Sequence, residues 1–135
     1  MPSETDLQAL IGSMSPALLP GVHVFVTVPP DAPLPTGINP VMVFGEREGN
    51  TLIIFEEEAK AAGLSFTFRS RMITLNVHSS LDAVGFLSVI TTRLAAAGMG
   101  VNPVSAYFHD HLFVPADRAE EAMAILQALA AEHRG

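Results

Sequence analysis

The stretch HSSLDAVGFLSVITTRLAAAGMGVNPVSAYFHDHLFVP, residues 78–115, decides the fold. It continues a β-branched, apolar run, MITLNVH (72–78), with the composition of a strand. Leu81, Val84, Leu87, Ile90 and Leu94 then recur at near-helical spacing and stop at Gly98 and Gly100, which predicts a helix over 81–97. Ser79, with Asp82 three residues on, fits a capping box in which Asp replaces Glu. VSAYF and HLFV flank the His109-Asp110-His111 turn as a hairpin. A last helix starts at Asp117 and turns Ala119, Met123, Leu126 and Leu129 inward. Strand, helix, strand, strand, helix is the ferredoxin-like order.

Upstream, Leu7, Leu10, Ile11 and Met14 lie at i, i+3, i+4 and i+7 behind Ser3 and Thr5, a one-sided helix ended by Pro16 and Pro20-Gly21. VHVFVTV (22–28) reads as a strand, and PPDAPLPTGINP after it carries five prolines, which exclude a helix or central strand there. VMVFGERE and TLIIF form a hairpin about Gly49-Asn50, EEEAKAAG a short helix and SFTF a further strand. Alternation puts Phe66 and Phe68 on one face, whereas Ile73, Leu75 and Val77 have the opposite parity. That change of phase divides the chain into residues 1–70, a degenerate unit with an amino-terminal helix, and 71–135, a complete unit.

The halves echo each other. TLIIFEEEA (51–59) and HLFVPADRA (111–119) both run from a hairpin strand into an acidic helix start, and GINP (37–40) matches GVNP (100–103). The fold expected is α+β: two ferredoxin-like units with antiparallel sheets and helices on one face, the first lacking its crossing helix.

Composition narrows the function. The 135 residues are 49% hydrophobic, enough for one compact core or two small fused ones. Net charge is −7, with 7 Lys and Arg against 14 Asp and Glu and no basic stripe, which argues against nucleic acid as a partner. The absence of cysteine removes disulfides, thiolate zinc sites and cysteine nucleophiles. The amino terminus is acidic where a signal peptide is basic, and no apolar run reaches the length of a membrane span. A cytoplasmic protein with no membrane partner is expected.

Asp82-Ala83-Val84-Gly85 after a strand resembles the Asp-x-x-Gly helix start of ACT domains, and Gly100-Val101-Asn102 resembles the Gly-Ile-Asn that leads into their second strand. The resemblance covers about residues 71–133, and the whole chain looks like the small stand-alone tandem ACT-like proteins of unassigned role. It implies a regulatory module that binds an amino acid or similar metabolite near the first strand-to-helix loop, commonly at a domain or subunit interface. A homodimer is expected from family habit and from the sheet face that the helices leave uncovered.

An amino acid presents a carboxylate and an ammonium. The first backbone N–H groups of a helix starting at Ser79 and Ser80 would receive the former, and Asp82 the latter. The plainer reading has Ser79 or Ser80 capping the helix and Asp82 complementing its dipole. Gly85 would admit a ligand or serve helix packing, and Asn102 would bond a ligand or simply turn the chain. The first and second strands of a unit run parallel, so His78, the helix start and His109, Asp110 and His111 are expected as neighbours. We expect these side chains to hydrogen-bond a ligand. Three imidazoles and a carboxylate would alternatively bind zinc, and a ligand-free assembly module is the other alternative. No cofactor is expected. Nor is catalysis: Ser79 and Ser80 beside His78 lack a nucleophile elbow and an orienting third group, and Glu56–Glu58 read as a solvated helix start.

Overall fold

The computed structural model describes residues 4–79 and 83–134. Its elements in chain order are α1 (Glu4–Ser13), β1 (Ser15–Leu18), β2 (His23–Val28), β3 (Met42–Gly45), β4 (Asn50–Phe55), α2 (Glu56–Ala61), β5 (Thr67–Asn76), α3 (Phe86–Ala96), β6 (Asn102–Ser105), β7 (Asp110–Pro115) and, after a 3-10 turn at Ala116–Arg118, α4 (Ala119–Glu132). They form two compact units, Gly21–Ser70 and Met1–Pro20 with Arg71–Gly135.

In the Gly21–Ser70 unit the strand order is β3-β4-β2-β5, antiparallel throughout. Val24, Val26 and Val28 of β2 alternate inward against Leu52 and Ile54 of β4 and Ala59 of α2. No helix crosses from β2 to β3. Ile38 of the Pro-rich segment packs on this core instead. Glu58 pins the segment, its carboxylate accepting from the Asn39 N–H at 2.8 Å and from the Phe55 N–H at 3.1 Å. Glu56 pairs with Arg69. Two of the three acidic residues at this helix start are therefore structural ties, not a free solvated face.

Phe66 and Phe68 do not share a face. Phe66 packs on the core, but Phe68 adopts a positive φ of 57° and meets Phe25 edge-on at 5.8 Å on the opposite side. The cause is a bulge: His23 pairs with Ser70 and Phe25 with Thr67, so that Phe68 and Arg69 stand against Val24 alone, two residues against one. The change of phase seen in the sequence is this extra residue.

The other unit has the order β1-β5-β7-β6. Its closing strand comes from the amino terminus: β1, read in the sequence only as the end of a helix, pairs antiparallel with β5 from Ser15↔Asn76 to Leu18↔Ile73. The Leu19 N–H donates to the Met72 carbonyl at 2.9 Å, and the Arg71 guanidinium donates to the Leu19 carbonyl at 2.9 Å. α1 and β1, assigned in the sequence to the first half, thus pack in the second. The reason is burial: Ile11 and Met14 join Ile73, Leu75, Phe86, Ile90, Leu94, Leu112, Val114 and Leu126 in one core. β1 and β6 are outer strands, and each carries a proline, Pro16 and Pro103, where a missing N–H is tolerated.

Three local expectations change. α3 begins at Phe86, not at 81, because Gly85 holds a left-handed φ of 90° at the N-cap. Val84 stands 55% exposed ahead of the helix instead of facing the core. The first hairpin strand ends at Ser105, not Phe108: the Ala106 N–H donates to the His109 carbonyl at 3.0 Å, so Tyr107 and Phe108 form the tip and Asp110 and His111 open β7. The two hairpins repeat 60 residues apart, Met42 with Asn102 and Asn50 with Asp110. GINP and GVNP fall outside that offset, the first ahead of β3 and the second running into β6, and their match is coincidental.

Candidate functional site

The carboxy-terminal unit holds a cavity of ≈ 180 Å³ where the end of β5, the start of α3 and the β6–β7 hairpin converge. β5 ends because Val77 turns back, its N–H donating to the Leu75 carbonyl at 3.0 Å. The chain beyond it contributes Ser79 and Ala83 to the wall, α3 contributes Phe86 and Leu87, and the hairpin contributes Ser105, Ala106, His109 and Asp110. Its volume lies below the roughly 300–1,000 Å³ of pockets that enclose drug-sized molecules, a size suited to a small metabolite.

The polar groups are distinct. Ser105 and Asp110 are directly opposed in the β6–β7 ladder, and the serine hydroxyl donates to the Asp110 carboxylate at 2.5 Å, which orients the acid. Nδ1 of His109 is buried and has no hydrogen-bond partner among the described residues. A buried ring nitrogen left unpaired costs about 1–3 kcal/mol, so this atom calls for a bonding group from a ligand or a water. His109 packs edge-on against His111, with ring centroids 6.4 Å apart. His111 in turn shares a 3.0 Å hydrogen bond with the buried Thr74 hydroxyl. Burial and the neighbouring His109 hold His111 below the ordinary histidine pKa, with Asp110 partly opposing them, so the imidazole is neutral near pH 7.

The residues singled out in the sequence separate into three groups. Ser79, His109 and Asp110 meet in the cavity, and His111 adjoins it through His109. Gly85 precedes the lining residue Phe86 and serves backbone conformation; a side chain there would also press on Leu7 of α1 at 3.3 Å. His78 is exposed and does not line the cavity. Asn102 pairs with Phe113 at the far end of the hairpin. Ser80 and Asp82 lie outside the described residues, so the carboxylate seen in the wall is Asp110.

The N-cap position of α3 is held by Gly85, so Ser79 does not cap it. Ser105, Ala106, Phe86 and Leu87 were missed. The signal for Ser105 was the repeat itself: carried through the turn, GEREGN (45–50) over SAYFHD (105–110) sets Ser105 across from Asp110.

Among the described residues no group of three His, Cys, Asp or Glu stands where a metal ion could be held. None of their helices is long and apolar enough to cross a membrane.

A pair of ferredoxin-like units, one with a small polar cavity at its strand-to-helix loop, defines a ligand-binding class of regulatory module. Family models described as ACT domain match residues 2–71 and 67–128. The chain belongs to the ACT-domain family and carries two such domains in tandem. It is similar to a solved protein of unknown function from Vibrio cholerae, described as a possible transport protein, at 39% identity and TM-score 0.83 over 92% of this chain and 95% of that one. A protein from Agrobacterium tumefaciens shares the fold at 16% identity and TM-score 0.74 over 87% and 89%. So does the regulatory subunit of aspartate kinase from Thermus thermophilus, at 13% identity and TM-score 0.65 over 87% and 96%. No curated protein matches the chain.

Proposed function

We propose that this protein is a non-enzymatic amino-acid sensor that holds one small amino acid in the Ser79–Phe86–Asp110 cavity. The carrying observation is the opposition, across a space of ≈ 180 Å³, of an oriented carboxylate and the first turn of α3. The leading N–H groups of a helix lack intrahelical acceptors and sit at the positive end of its dipole, so they receive a ligand carboxylate. Asp110 receives the ammonium. Nδ1 of His109 takes a further polar group, which gives the site preference for a ligand with a hydroxyl, amide or acid side chain. The regulatory subunit of aspartate kinase has the same fold, which fits a regulatory role. The protein is further proposed to act in the cytoplasm as a homodimer, the exposed Phe44 of β3 and Phe55 of β4 supporting the latter.

A thermal-shift screen of the protein against the twenty amino acids tests the reading, since a ligand that prefers the folded state raises Tm by mass action. A rise with one or a few of them, lost in Asp110→Ala, is expected; no rise with any removes the sensor reading. One observation favours an assembly role instead: Tyr107 and Phe108 stand 80% and 70% exposed, stacked edge-on at the hairpin tip. That reading predicts a partner protein whose recovery is lost in Tyr107→Ser.

A further inference from the structure

The two hairpins close in the same way, so their positions can be compared one by one. The Glu46 N–H donates to the Gly49 carbonyl at 3.1 Å, as the Ala106 N–H does to that of His109 at 3.0 Å. Gly45 pairs with Asn50 as Ser105 pairs with Asp110. The three polar residues that the hairpin gives the cavity, Ser105, His109 and Asp110, thus correspond to Gly45, Gly49 and Asn50 in the amino-terminal unit.

What stands around those counterparts is the chain's own backbone. A Cβ on Gly49 would lie 2.6 Å from the Thr27 hydroxyl oxygen and 2.8 Å from the Val28 carbonyl oxygen. β2 therefore occupies the space into which a side chain at this position would extend, and only glycine fits. Val28 remains paired with Asn50 at the strand end, where β5 has already turned away at Val77. The Asn50 amide donates to the Pro30 carbonyl at 3.4 Å, which ties the hairpin to the start of the Pro-rich segment. That segment holds no helix, so no helix start faces the hairpin.

We infer that each chain takes a single small-molecule ligand, in the carboxy-terminal unit, and that the corresponding position of the amino-terminal unit is closed by β2 and the Pro-rich segment. This rests on the sensor reading and adds its stoichiometry: the two domains have divided, one keeping the site and the other only the scaffold. Ligand affinity then follows from one half of the chain, and substitutions about Gly49 act on stability without acting on binding.

The test is a backbone-amide NMR titration with an equimolar mixture of the twenty amino acids, followed by calorimetric stoichiometry with the one that moves the spectrum most. Displacements at Leu87, Ser105, Ala106, His109 and Asp110 and a ratio of one per chain are expected. Ala106→Trp, which fills the cavity, should abolish them. Comparable displacements at Val28, Glu46, Gly49 and Asn50, or two ligands per chain, overturn the inference and leave the sensor reading standing. Silence at both positions overturns the sensor reading and this inference with it.

Discussion

Leu18 pairs with Ile73 in the β1–β5 ladder, so a strand from the amino terminus completes the sheet of the carboxy-terminal unit. Its attachment is hydrophobic as well as hydrogen-bonded, since α1 just ahead of it buries Ile11 and Met14 in the same core.

Met14→Ala should therefore destabilise the carboxy-terminal unit. Deleting a fully buried side chain of this size costs about 2–5 kcal/mol. Urea unfolding followed by amide hydrogen exchange should show the loss in residues 71–134, with β2–β4 keeping their protection. Equal loss of protection in β2–β4 would mean that the units unfold as one.

Gly85→Ala tests the start of α3. The left-handed φ of 90° costs an alanine about 1–2 kcal/mol, and its Cβ would also crowd Leu7. A fall in unfolding midpoint of that order is expected, together with altered ligand affinity, because Phe86 and Leu87 shift with the helix start. An unchanged midpoint would show that the backbone relaxes there without cost.

Asp110→Asn should weaken amino-acid binding about 10–100-fold, the loss of a charge-assisted hydrogen bond of about 1.5–3 kcal/mol, with the fold retained. Ser105→Ala should weaken it less, since it removes the group that orients the acid rather than the acid. Equal effects from the two would point to hairpin distortion, which circular dichroism and Tm report.

His23 gives the amino-terminal unit a pH dependence. It is 1% exposed and stacks on Phe55 with ring centroids 4.4 Å apart. Burial pushes its pKa below the ordinary histidine value, against the raising influence of Glu58. The unfolded chain, with a histidine pKa of about 6.5, then binds the proton first. Stability is full above pH 6.5 and falls as pH drops through 6.5 toward the folded value. His111 acts in the same direction in the other unit. His23→Leu should flatten this slope in midpoint-versus-pH curves; an unchanged slope would assign it to His111. The carboxyls of Glu56, Glu121 and Glu132, held low by Arg69, Arg118 and Arg93, contribute only further into acid.

Periodicity and turn chemistry act between residues a few positions apart, and these were legible. The alternation of β2, the stop at Gly63, the inward face of α4 and the hairpin repeat follow from local residue order, as does the exclusion of a helix from the Pro-rich segment. The strand-to-helix loop was recognisable as a candidate site, and Ser79, His109 and Asp110 were among the residues named for it. Other features depend on partners distant in sequence. SPAL becomes a strand only because β5 presents an open edge to it, and Pro16 alone would argue otherwise. Phe68 crosses to the opposite face because β2 and β5 are paired out of step. Ser105 enters the site through its register with Asp110, and Gly49 is obligatory through the closeness of Val28. Local propensity sets which residues form helices and strands. Long-range pairing and close packing set where those elements end, which edge they join and which side chains line the cavity, because these are free-energy differences that no short window of sequence contains.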